Sequence, residues 1–248
     1  MKAMILAAGL GTRLRPLTDD RPKALVEVGG WTMLELTLVR LRGFGIRDVI
    51  VNVHHFADKV VEYLKARDNF GMRIEISRED MLLDTGGGLK KAAWFFLDHS
   101  PSSNEPFLLH NVDAVSTIDF ERMMILHKEQ QALATLAVQD RETSRYLLFD
   151  EQYQLCGRRA GLNGSVELVR RSSQTLARAF SGIHVISPRL LTIMSEEGAF
   201  SIIATYLRLA ARGEKITAFR ADEYYWRDLG KPESVALAAR EMAQHRKH

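Results

Sequence analysis

The chain has one cysteine, Cys156, among 248 residues. It therefore has no internal disulfide and no cysteine cluster to hold zinc, a pattern that suits a reducing cytoplasm. Long apolar runs are also lacking. Nothing approaches the roughly 18 to 20 residues that a membrane helix needs. The opening MKAMILAAGLGTR is too short for a secretory signal and breaks into glycine and arginine. No single charge sign dominates: 34 Lys and Arg against 31 Asp and Glu leave +3. With no zinc-finger spacing and no basic block interleaved with aromatics, nucleic acid is not the expected partner, and an anionic small substrate suits the charge at least as well. What is present, 46% hydrophobic and 26% charged residues, excludes disorder and fits a soluble globular chain of one large or two small α/β domains.

The apolar pattern alternates strand and helix. Strands are predicted at Lys2–Ala7, Asp48–Val53, Met72–Ser77, Phe107–His110 and Leu133–Val138. Helices are predicted at Thr32–Phe44 with Gly45 as the stop, Asp58–Ala66, Leu89–Leu97 and Asp119–Gln131. This rhythm argues for a mostly parallel sheet with helices on both faces, a three-layer α/β/α arrangement. From 140 to 187 the character changes to short strands (YLLF, QLCG, VELV, GIHVI), followed by helices near Pro188–Ser195 and Ser201–Ala211, a strand at Lys215–Arg220 and a closing helix from Pro232 to about Gln244. Residues 100–106 read as a surface loop and the final HRKH as a frayed basic tail. One domain over 1–248 with two lobes, 1–115 and 116–248, is the economical division.

The first strand runs into Ala7-Ala8-Gly9-Leu10-Gly11-Thr12-Arg13-Leu14-Arg15-Pro16. Two glycines one residue apart let successive N–H groups point at one spot, the geometry that cradles phosphate oxygens. A lone G-x-G fixes only a tight turn, but here it ends a strand and three cations follow: Arg13, Arg15 and Lys23, the last set up by Pro22. The dinucleotide fingerprint needs glycine where Leu14 stands, and the P-loop needs Ser or Thr after Gly230-Lys231 where Pro232 stands.

Three further features carry candidate chemistry. Asp84-Thr85-Gly86-Gly87-Gly88 opens a helix, with Asp84 or Thr85 as its cap; taken alone it suits phosphate or base contact and plain turn geometry equally. Asp113, in Asn111-Val112-Asp113, ends a central strand and points a carboxylate into the crevice, where Mg²⁺ finds oxygen ligands. Asp228 reads alone as a surface residue before a turn. His54 and His55 come just after the second strand, where adjacent residues of an extended chain face opposite sides and do not easily share one metal.

L-A-A-G-L-G-T-R-L-R-P-L-T with P-K-A-L closely resembles the opening signature of the sugar-1-phosphate nucleotidyltransferases, and D-T-G-G-G, N-V-D, F-S-G-I and W-R-D-L-G-K-P follow in that family's order. The chain looks most like the short, single-domain members, such as the N-acetylmuramate-1-phosphate uridylyltransferases and mannose-1-phosphate guanylyltransferases, with no counterpart of the left-handed β-helix of longer relatives. The resemblance implies a Rossmann-like nucleotide-diphospho-sugar transferase fold. It implies NTP (UTP, GTP or CTP) and a sugar 1-phosphate as substrates, and Mg²⁺ as cofactor. It makes Arg13, Lys23 and Asp113 catalytic, and Leu6, Ala7, Ala8, Gly9, Gly11, Thr12, Arg13, Lys23, Gly86 and Gly87 nucleotide-binding. Asp113 and Asp228 become the metal ligands, with Val112 where the family usually has glycine. Asn163, Ser181 and Gly182 become sugar-phosphate contacts, with Glu167, Arg170 and Arg171 nearby, and Trp226 a packing residue. Phosphocholine as acceptor for CTP, or a non-catalytic nucleotide-sugar sensor, are the alternatives. The protein is expected as a monomer or homodimer, away from membranes.

Overall fold

Lys2–Leu6 forms β1, apolar on both sides as a strand covered on both faces must be. In the computed structural model, which describes residues 1–97 and 105–245, single 3₁₀ turns at Thr12–Leu14 and Lys23–Leu25 follow. Next come β2 (Glu27–Val28), β3 (Trp31–Thr32), α1 (Met33–Gly43), β4 (Asp48–Val53), α2 (Ala57–Lys65) and β5 (Arg73–Arg78). Then come α3 (Asp84–Lys91), α4 (Ala93–Phe96), β6 (Phe107–Asn111), β7 (Ala114–Ser116), α5 (Phe120–Glu129) and β8 (Ala134–Gln139). The second half adds β9 (Arg145–Phe149), β10 (Leu155–Ala160), β11 (Val166–Leu168), β12 (Leu176–Ile186), α6 (Arg189–Ile193), α7 (Ile202–Ala211), β13 (Ile216–Arg220), β14 (Trp226–Asp228) and α8 (Pro232–His245).

A ten-stranded sheet runs β11-β10-β9-β12-β6-β1-β4-β5, with β8 and β13 joined beside β12. The segment β6-β1-β4-β5 is parallel throughout, as the strand-helix rhythm predicts. The antiparallel pairs come from the second half, where β12 pairs with β6 and carries the sheet across the 115/116 division. Side chains alternate between two cores. Ala3, Ile5, Val49, Val51 and Leu108 face α1, α2, α5 and α8, while Met4, Ile50, Phe107 and Leu109 face α3, α4, α6 and α7. The three-layer arrangement follows from that period of two.

Local signals set the helix ends. Thr32 caps α1 by accepting from Glu35 N at 3.1 Å, and Gly45, at φ 73°, ends it. Asp119 caps α5 and Ser201 caps α7. The helix predicted at Leu89–Leu97 differs: it starts five residues earlier, at Asp84, and restarts after Ala92. The predicted loop at 100–106 and the HRKH tail lie largely outside the described residues. Among those described, no helix is long and apolar enough to cross a membrane.

From β1 the chain moves to β4 and β5 on one side, then returns to β6 on the other. The strand order therefore reverses between β1 and β6. The crevice beyond the carboxyl ends of those two strands is where open parallel sheets bind ligands, and both the Ala7–Lys23 loop and Asn111–Asp113 emerge there.

Candidate active site

A cleft of about 370 Å³ opens at that reversal, lined by Leu6, Ala8, Gly9, Lys23, Asp113 and residues of the β5–α3 loop. Ala7 N–H donates to Asn52 Oδ1 at 2.7 Å, tying the loop's start to β4. Gly11 sits at φ 65° with Thr18 Oγ1 on its carbonyl at 2.9 Å, and a Cβ there would lie 2.9 Å from Thr18 Cγ2. Only glycine meets both demands. Gly9 has open space where a Cβ would be and lines the cleft. Thr12 and Arg13 form the exposed 3₁₀ turn that follows. Pro22, extended at φ −70° and ψ 154°, delivers Lys23 into the cleft.

Lys23 Nζ is bonded to Asp113 Oδ2, both side chains mostly buried. Val112, in the family's glycine position, packs in the core and donates its N–H to Leu6 O at 3.1 Å. Its φ is not positive, so the position needs no glycine. Strand β14 pairs antiparallel with β7, setting Asp228 opposite Ala114, and Leu229 N–H donates to Asp113 O at 2.8 Å. The backbones of Asp113 and Asp228, distant in sequence, thus lie side by side; Asp113 lines the cleft and Asp228 is exposed. Asp228 Oδ1 accepts from Gly230 N at 2.8 Å. A Cβ on Gly230 would lie 2.6 Å from Asp228 Oδ1 and 2.9 Å from Arg13 Nη2, so the Arg13 guanidinium and the Asp228 carboxylate flank this glycine.

On the other side of the cleft the structure gives the Gly-rich segment a packing role. Gly86 and Gly87 lie within α3, and both amides donate to Phe200 O. A Cβ on Gly86 would overlap the Phe200 ring, and one on Gly87 the Gly198 carbonyl. The cleft itself is lined by their neighbours Asp84 and Thr85, with Ala199. Thr85 caps α7 rather than its own helix, accepting from Ile202 N at 3.0 Å. Beneath them Glu79 and Asn52, buried, bond at 2.7 Å, and Glu79 Oε2 accepts from Leu83 N at 3.0 Å. Neither residue was expected from the sequence. Their signal is a polar side chain at the carboxyl end of a parallel strand, as for Asp113. His54 bonds Glu79 O through Nδ1, and His55 packs on Phe56.

The expected acceptor residues divide. Ser181 is buried, its carbonyl accepting from Trp226 Nε1 at 2.7 Å. Gly182, at φ 73°, makes room for Asn111, whose Nδ2 would lie 2.8 Å from a Cβ there. Both adjoin the Asp113 loop. Asn163 lies instead in the exposed turn between β10 and β11. That hairpin is at the sheet's far edge, four strand spacings or about 19 Å from β6. Glu167 pairs with Arg158, and Arg170 with Asp150, away from the cleft. Arg141, unmarked in the sequence, stacks on the Trp226 ring at 3.7 Å.

The pattern of the nucleotidyl transferase family matches residues 2–151, and the chain belongs to that family. An N-acetylmuramate alpha-1-phosphate uridylyltransferase of Caulobacter vibrioides is 33% identical over 98% of this chain and 97% of its own. A mannose-1-phosphate guanyltransferase of Yarrowia lipolytica is 30% identical over 94% of this chain, which spans 61% of that longer protein. HddC from Yersinia pseudotuberculosis complexed with GMP-PN superposes with TM-score 0.74 at 21% identity, covering 97% of this chain and 99% of its own. The inositol-1-phosphate CTP transferase from T. maritima gives 0.71 at 18%, covering 98% and 95%. At such identities these structures show the fold.

Proposed function

We propose that the protein joins an NTP and a sugar 1-phosphate into an NDP-sugar and pyrophosphate. The observation that supports the reading is that Lys23 and Asp113, ion-paired, line a Gly-lined cleft, while β14 pairs beside the Asp113 loop and carries Asp228, which flanks Gly230 together with Arg13. An oxygen of the sugar phosphate attacks the α-phosphorus of the NTP, and the bond to the pyrophosphate oxygen breaks on the opposite side. The nucleophile is already an anion, so no strong base is needed. The obstacle is bringing two polyanions together and stabilising the charge that builds on the leaving group, and preorganised cations meet it. Arg13 neutralises the pyrophosphate portion, Lys23 steadies the phosphates at the reacting centre, and the loop from Leu6 to Thr12 holds the triphosphate. Gly86 and Gly87 act on the nucleotide through the Asp84–Thr85 wall that their close packing positions. Ser181 and Gly182 border the acceptor side, with Asn163 an outlying sugar contact on the hairpin.

The donor set fits Mg²⁺: two carboxylates that supply oxygen ligands, one of them already holding the Lys23 ammonium as a cationic stand-in. When bound, the ion supplies charge neutralisation of the reacting phosphates. Asp113 and Asp228 are its ligands in this reading. Among the described residues no group of three or more potential metal ligands gathers, and Asp113 and Asp228 would hold the ion together with substrate oxygens.

The test is pyrophosphate release with Mg²⁺ over a grid of four NTPs. The acceptors are muramyl, mannosyl, glucosyl and heptosyl 1-phosphates, with phosphocholine and inositol 1-phosphate as outliers. Release with one sugar phosphate and one or two NTPs is the expected outcome. Release only with the outliers assigns a non-sugar acceptor, and binding without any release assigns a sensor.

A further inference from the structure

Seven arginines lie between 141 and 178, and three of them are in ion pairs. Arg158 pairs with Glu167, Arg170 with Asp150 and Arg178 with Asp140. Arg141 differs. It stands just after β8, half-buried, and no carboxylate among the described residues lies within ion-pair distance of it. Its guanidinium is nonetheless fixed on two sides. The Trp226 ring lies 3.7 Å from its centre, and Nη2 donates to Phe180 O at 2.8 Å. Nε is buried without a partner, whereas Nη1 makes no protein hydrogen bond and keeps contact with solvent. Burial lowers its pKa, and the attraction of Asp228 acts in the opposite direction.

The stacking residue is decisive for its place. Trp226 is in β14, two residues before Asp228, and its indole N–H is tied to Ser181 O. Arg141 is therefore held against the strand that brings Asp228 to the reacting centre, on the Ser181–Gly182 side and away from the wall formed by Asp84 and Thr85. A guanidinium that is half-buried, with Nε unpartnered and one edge open, gains from an anion at that open edge. Its planar fork matches two phosphate oxygens better than any single acceptor does. Building the inference on the nucleotidyl-transfer reading, we propose that Arg141 receives the phosphate of the incoming acceptor and that Trp226 is the platform holding it in place. Arg13 and Lys23 then serve the triphosphate, and Arg141 is their counterpart for the second substrate. Trp226 gains a role beyond packing, as the part of the acceptor site that fixes the guanidinium plane.

Equilibrium titration tests this without turnover. Wild-type protein, R141Q and R141K are each titrated with the panel of sugar 1-phosphates, with inorganic phosphate as the minimal probe, and separately with NTP. The expected result is at least a tenfold loss of affinity for phosphate and for the bound sugar 1-phosphate in R141Q, with NTP affinity changed less than twofold. R141K, which keeps charge but not the fork, should fall between, and it carries the test if R141Q fails to fold. Acceptor affinity within twofold of wild type in both variants overturns the proposal. So does an equal loss for NTP, or wild-type protein that binds none of these phosphates. Pyrophosphate release by wild-type protein judges the transfer reading separately.

Discussion

In the proposed mechanism, Asp113 is the residue on which most contacts converge. Its carboxylate holds Lys23, its carbonyl accepts from Leu229 N, and its strand neighbour Ala114 pairs with Asp228. Asp113→Asn keeps the shape and the hydrogen-bonding capacity toward Lys23 but removes the charge. Pyrophosphate release should fall by about 10²- to 10³-fold, the range for losing one electrostatic stabiliser. The melting temperature should drop only a few degrees, because one hydrogen bond to a charged group is worth about 1.5–3 kcal/mol and its replacement by a neutral one loses part of that. Undiminished release from the folded variant would remove Asp113 from the mechanism. Gly230 offers a complementary probe. A methyl group there meets Asp228 Oδ1 and Arg13 Nη2 at once, and both are ends of side chains that can shift. Gly230→Ala should therefore melt near the wild-type temperature yet release pyrophosphate at least tenfold more slowly. A variant that loses stability but not specific activity would show that the glycine serves folding rather than the arrangement of Arg13 and Asp228.

At the scale of elements, α3 shows where tertiary packing overrides local propensity. Three consecutive glycines disfavour a helix by about 1 kcal/mol each relative to alanine, so the sequence begins the helix only at Leu89, yet it runs from Asp84. The compensation comes from the segment before α7. Phe200 O takes two α3 amides, Thr85 returns a bond to Ile202 N, and the glycines allow that close approach. In Gly87→Ala the added methyl faces a backbone carbonyl, which cannot move aside as a side chain can. The expected loss is about 1–3 kcal/mol, seen as a melting temperature lower by roughly 2–10 °C. An unchanged melting curve would refute the packing account. The same contrast explains what was legible in the sequence. β1, β4, α1 and α5 announce themselves through local periodicity and caps, and the loop after β1 through two closely spaced glycines followed by cations. β7 and β14, three residues each, show no period, and they exist because they pair with each other. Arg141, Asn52 and Glu79 have no motif around them. Their importance comes from which strands become neighbours, and the order of residues along the chain does not state that.

For the molecule as a whole, the sheet that creates the cleft also buries histidines that make its stability depend on pH. His184 on β12 is enclosed, with Nδ1 against Tyr206 Oη at 2.8 Å, and burial pulls its pKa down to about 3, with His110 adding to the effect. His127 in α5 bonds Thr135 Oγ1 and Ser187 Oγ at 2.9 Å each, and burial, with Lys128 nearby, brings it to about 4. In the unfolded chain both titrate near 6.5. Above that pH both states carry neutral imidazoles and these groups leave stability flat. Below it the unfolded chain takes up protons that the native protein refuses, so stability falls as pH drops from about 6.5 toward 4. At about 1.4 kcal/mol per unit of pH for each group, the loss by pH 4.5 is roughly 2–3 kcal/mol per histidine. Melting curves should coincide between pH 7 and 8 and shift steadily downward below 6.5. His127→Gln keeps a side chain that hydrogen-bonds but does not titrate, so its melting temperature should fall less steeply over the same interval. A slope equal to that of wild type would mean that His127 protonates in place without unfolding pressure, and that the contacts to Thr135 and Ser187 do not require the neutral ring.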